Sequence, residues 1–123
     1  MGSAILFWVY VAVMALAAGL FVAAWFARFD TPRHKRLGAT GVVLALTGIV
    51  VVLAATYALG WRVEQRWPDV VTWHRRVAYL STALLVATAV SGARRWRLHP
   101  LIARVSLPVY LATLALALLG YRP

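Results

Sequence analysis

Three histidines, His34, His74 and His99, are the side chains of this chain best suited to bind a metal or exchange a proton near neutral pH. Cysteine is absent, which excludes disulfides, thiolate metal sites and cysteine nucleophiles. The only acids, Asp30, Glu64 and Asp69, lie in polar connections beside Pro, Thr or Arg, where capping or pairing accounts for them. Hydrolytic chemistry therefore finds no acid–base pair to work with. The chemistry open to the chain is what imidazoles do: ligate a metal, hydrogen-bond a carbonyl, or pack at a helix interface.

Four apolar runs must position these rings. The composition is 63% hydrophobic and 13% charged over 123 residues, and the apolar residues come in runs long enough to cross a bilayer, which takes roughly 20 residues each. The runs predict an all-α, integral membrane, antiparallel four-helix transmembrane bundle in one domain spanning 1–123. Its helices are expected over about 3–27, 32–60, 73–92 and 100–120. Short connections make successive helices antiparallel neighbours. The first run has no basic segment ahead of it and is too long for a cleaved signal, while Gly2-Ser3 only weakly resembles a lipidation site.

Thr31-Pro32 and His99-Pro100 read as cap-then-proline starts for the second and fourth helices. Thr72 is expected to cap the third, with Asp69 capping a separate interfacial turn before it. Pro108, inside the fourth run, predicts a bend. Six tryptophans near run ends fit an interfacial aromatic belt.

The net charge of +10 sits in the gaps between runs, which points to lipid headgroups and orientation rather than to nucleic acid. Arg28, Arg33, Lys35, Arg36, Arg94, Arg95, Arg97 and Arg104 lie at one end, against Arg62, Arg66, Arg75, Arg76 and Arg122 at the other. The positive-inside rule then predicts a multi-pass protein of the cell inner or plasma membrane with both termini external. No ionisable residue lies near the middle of a run, which argues against transport by this chain alone.

Because lipid is as apolar as leucine, membrane helices associate through close approach at small residues. Ala15, Gly19 and Ala23 form such a stripe on the first helix, and Gly38, Gly41, Ala45 and Gly48 form one on the second. Extending the second stripe back one turn reaches His34. On the third and fourth helices, His74 heads Ala78 and Ser81, and His99 heads Ala103, Ser106, Tyr110, Thr113 and Ala117. Each histidine thus leads a face expected to point into the bundle.

Helices two and four start on the same side, so His34 and His99 lie at similar depth, with His74 about 25–30 Å away near the opposite face. A pair of neutral imidazoles at that depth would suit one haem iron ligated from both faces. Gly38, Gly41 and Ala103 would leave room for the macrocycle, and Arg33, Lys35, Arg36, Arg97 and Arg104 would meet its propionates or lipid headgroups. A zinc site, a lipid-headgroup site or plain packing would leave the same trace in the sequence.

The segments "HKRLGATG", "WHRRVAYLSTALLVATAVSGARRW" and "HPLIARVSLPVYLATLALALLGYR" resemble small four-helix membrane proteins related to cytochrome b561, over roughly residues 34–122. The resemblance implies His34 and His99 as a ligand pair for haem b on alternate helices, with His74 in the place of a ligand for a second haem. The first helix carries no histidine and its Met14 lies mid-helix, so His74 has no evident partner within the chain. It is left as a candidate for a quinone carbonyl or a neighbouring subunit. The expected function is a membrane redox subunit with one haem, acting beside a quinone or in an electron-transfer complex. The alternative is a cofactor-free accessory subunit whose partners are membrane lipids and other membrane subunits.

Overall fold

The computed structural model describes residues 2–123, which form four long helices: α1 (Gly2–Phe26), α2 (Thr31–Tyr57), α3 (Pro68–Ala93) and α4 (His99–Gly120). The chain is all-α apart from one short ladder. All four helices are long and apolar enough to span a membrane. Large side chains such as Ile5, Val50, Leu80 and Leu101 point outward, as expected of a bundle whose surrounding solvent is hydrocarbon.

Helices α1 and α2 pack along their length as one hairpin, and α3 and α4 as another. The two hairpins touch more sparsely, through α1 against α4 and α2 against α3. Their shared core is Met14, Ala17, Ala18, Ala45, Leu85 and Tyr110. The Tyr110 hydroxyl crosses between hairpins to donate to the Met14 carbonyl at 2.8 Å.

The small stripe of α2 is buried as expected at Gly41, Ala45 and Gly48. The stripe expected on α1 is not: Ala15, Gly19 and Ala23 face outward, and the buried face carries Phe7, Val11, Met14, Ala17, Ala18 and Ala24. The reason is complementarity of size. A Cβ at Gly41 would lie 2.8 Å from Phe21 Cε1 and one at Gly48 3.1 Å from Met14 Sδ, so α1 supplies knobs where α2 supplies holes. Two small stripes facing each other would leave those side chains without a seat.

Helix starts also differ from the expectation. Asp30, rather than Thr31, caps α2, its Oδ1 accepting from the Arg33 amide at 3.3 Å. A carboxylate there satisfies an orphan donor and meets the positive end of the helix dipole. Helix α3 begins five residues before the expected 73, with Pro68 in its first turn. Asp69 therefore sits in that first turn instead of a separate one, and Thr72 donates back to the Pro68 carbonyl at 3.1 Å instead of capping. His99 is the first residue of α4, not its cap, because its ring is engaged by α3. Helix α4 runs through Pro108 without interruption of its helical assignment.

At the end that carries both termini, β1 (Glu64–Gln65) pairs antiparallel with β2 (Tyr121–Arg122). The Gly120 carbonyl there accepts from the Arg66 and Trp67 amides, at 2.8 and 3.2 Å. This ladder ties the α2–α3 connection to the end of α4.

At the other end, α3 stops in a Schellman turn: the Trp96 amide donates to Ser91 O at 2.9 Å and the Arg95 amide to Gly92 O at 3.2 Å. Arg95 takes the left-handed position at φ 54°, the only non-glycine residue of positive φ among those described. Glycine is the usual occupant; a residue with a Cβ gives up roughly 1–2 kcal/mol there.

Candidate functional site

The end with the Schellman turn holds the candidate site. There the two hairpins part to leave a cavity of about 690 Å³, its walls supplied by all four helices. That volume lies within the range of pockets that take cofactor-sized ligands, about 300–1,000 Å³. Phe21 and Trp25 form one side, Leu85 and Thr88 another, and Gly38, Gly92 and Ala103 keep the interior free of bulky side chains.

His34 and His99 both line this cavity, with ring centroids 6.1 Å apart and planes at 76°. Each ring is held by the partner helix of its own hairpin. His34 Nδ1 lies 2.8 Å from the carbonyl of Ala24 on α1. His99 Nδ1 lies 3.0 Å from Ser91 Oγ and 3.2 Å from the Thr88 carbonyl on α3. The Ser91 hydroxyl donates to the same Thr88 carbonyl at 3.1 Å.

A carbonyl only accepts, so the Nδ1 of His34 must donate, and Nδ1–H of His99 is shared between the serine oxygen and Thr88 O. In the neutral imidazole this assigns the proton to Nδ1 and leaves the Nε2 lone pair of both rings without a partner among the described residues. That is the arrangement by which ligating histidines are oriented and their tautomer fixed. Gly92 makes it possible for His99, since a Cβ at that position would lie 2.9 Å from His99 Cε1.

The ring separation is comparable to that of two imidazoles on one ion. Imidazole nitrogens bind a first-row ion such as zinc at about 2.0–2.1 Å, so rings bonded to one ion from opposite sides have centres about 6 Å apart. Two histidines do not complete a zinc site, which takes three or four protein ligands. Among the described residues no group of three or more His, Cys, Asp or Glu converges. A metal held by these two rings would need further ligands from elsewhere.

The other expected site residues are distributed as follows. Gly38 and Ala103 line the cavity, while Gly41 lies deeper, under Phe21 and away from it. Lys35 lines it; Arg33, Arg36, Arg97 and Arg104 do not. The Arg104 guanidinium instead stacks over the Trp25 ring at 5.8 Å. Arg95, which the sequence places in the basic rim and not among the expected propionate partners, also lines the cavity; its place depends on a left-handed turn that no local sequence signal announces.

His74 lies apart, in the half of the bundle near the termini. Its Nδ1 is 3.0 Å from the Thr113 carbonyl and its ring packs edge-on against Tyr121 at 5.8 Å. The space beside it, shared with Tyr10, Ser81 and Tyr110, is about 40 Å³. That is room for a water molecule rather than for a ring-sized ligand.

Comparison with known proteins finds no matching family model, no similar curated protein and no similar solved structure. The functional reading therefore rests on the site.

Proposed function

We propose that this chain is a membrane redox subunit that holds one b-type haem between His34 and His99 and works beside a quinone or within a larger electron-transfer complex. The observation that carries the reading is the pair of neighbouring imidazoles, each anchored through Nδ1, at a spacing suited to one shared metal. Simple helix packing accounts for the burial of the rings. It does not account for the cavity of about 690 Å³ that both rings line.

A haem bound there would supply a one-electron carrier whose potential is set by its axial ligands and surroundings. The chain's own contribution is orientation and exclusion. Ala24 and Thr88 carbonyls with Ser91 fix the ring planes and make the Nε2 atoms better donors. Phe21, Leu85 and Val42 give the pocket an apolar wall. One bound group would also join the two hairpins, α2 to α4.

A reduced-minus-oxidised absorbance spectrum of protein expressed with added haem precursor tests the reading. Paired α and Soret bands that disappear in both His34→Ala and His99→Ala support it; no bands in the parent protein reject it.

A cofactor-free accessory subunit is the second reading, favoured by one observation. Ala15, Gly19 and Ala23 form an outward-facing small stripe, with nothing within 4 Å of a Cβ placed at Gly19, the surface a further membrane helix would use. Retention in a larger complex after mild detergent extraction, without a haem spectrum, selects this reading.

A further inference from the structure

We infer that Arg95, with Lys35 across the mouth of the cavity, is the receptor for a carboxylate carried by the cavity's occupant. The inference rests on the haem reading and names the residues that would take the propionates of that macrocycle.

Two independent observations lead to it. The first is placement. Of the eight basic residues at this end, only Lys35 and Arg95 line the cavity, Lys35 from α2 and Arg95 from the turn after α3. They approach from the two different hairpins. The one acid in the connecting turns there, Asp30, is committed to capping α2. Neither cation is therefore neutralised by that carboxylate.

The second observation is backbone conformation. Arg95 occupies the C′ position of a Schellman turn at φ 54°, where glycine is preferred because it carries no Cβ. The turn itself gains nothing from an arginine. What the arginine adds is a planar fork of donors on a residue that lines the cavity, suited to bidentate recognition of a carboxylate. Arg94, next in sequence, instead stacks on Trp96 at 5.9 Å and is absent from the cavity wall.

This geometry supplies a test in which loss of the fold and loss of the clamp move in opposite directions. The full chain, in nanodiscs of zwitterionic lipid, is titrated with haemin and with haemin dimethyl ester, whose carboxylates are blocked; the Soret band reads both. The parent protein is expected to bind the free acid about tenfold more tightly than the ester, the worth of a charge-assisted hydrogen bond. Arg95→Gly should bring that ratio close to one while leaving the thermal midpoint of helicity unchanged or higher, because glycine suits the turn. Lys35→Gln should lower the ratio less, a lysine being a point charge rather than a fork.

Equal binding of acid and ester by the parent protein overturns the clamp but not the haem site. An undiminished ratio in Arg95→Gly overturns the role given to Arg95. Absence of a Soret shift with either compound overturns the haem reading, and the clamp with it.

Discussion

The imidazole centroids of His34 and His99 lie 6.1 Å apart, yet neither ring is positioned by the other's hairpin: His34 is tied to Ala24 of α1 and His99 to Ser91 and Thr88 of α3. The pair is thus assembled from two separately built halves. A group bonded to both rings would act as a staple across the sparsest seam of the bundle. Haemin at a hundredfold excess over its dissociation constant should therefore stabilise the protein by about 2.7 kcal/mol. A rise in the thermal midpoint of helicity on loading, absent in His34→Ala, is the expected result; an equal rise in the variant would mean the stabilisation arises elsewhere.

Ser91 is fully buried and bridges His99 to the Thr88 carbonyl. Ser91→Ala leaves the Thr88 carbonyl as the sole acceptor for His99 Nδ1. Haem affinity is expected to fall about tenfold, the lower end for loss of a partner that orients a ligating histidine. The midpoint potential should shift as well, while helicity is retained. Unchanged affinity and potential would reduce the serine to a packing role.

Glycines of α1 and α2 should respond in opposite ways. Gly41→Ala puts a methyl 2.8 Å from Phe21 Cε1 and should destabilise the bundle by about 1–3 kcal/mol through overpacking. Gly19→Ala meets nothing within 4 Å and should be neutral, or stabilise by roughly 0.5–1 kcal/mol because alanine favours helix. Unfolding of the monomeric protein in mixed detergent micelles measures both. Equal destabilisation at the two positions would refute the assignment of the α1 face.

The Tyr110 hydroxyl joins the hairpins in the core, donating to the carbonyl of Met14 with the Met14 sulfur also within reach. Tyr110→Phe keeps the ring, which packs edge-on against Phe21, and removes only the hydroxyl. The expected loss is about 1 kcal/mol in the same unfolding measurement. No loss would show that the hairpins are held together by packing alone.

Much of this arrangement was legible in the sequence. Run length and polarity define four spanning helices, and alternate helix starts bring His34 and His99 to one depth and leave His74 at the other. The stripe on α2 could be read because its residues are small and regularly spaced. The buried face of α1 could not, since almost every residue of that helix is apolar or small and the packing partner decides which side turns inward. The start of α3 was hidden by polar residues, Asp69 and Thr72, that satisfy the first turn from within. The β1–β2 ladder joins residues more than fifty positions apart, and the cavity depends on how two hairpins diverge. Neither leaves a local pattern. For the same reason Arg95 was passed over in favour of Arg33, Arg36, Arg97 and Arg104.

The proposed haem iron between His34 and His99 has a spectroscopic signature. Its most direct measurement is the low-temperature electron paramagnetic resonance spectrum of the oxidised, haem-loaded protein beside its His99→Ala variant. The parent protein is expected to give the low-spin signal of an iron with two axial imidazoles, converted to high spin when His99 is removed. A high-spin signal in the parent, or a low-spin signal that persists without His99, would contradict it.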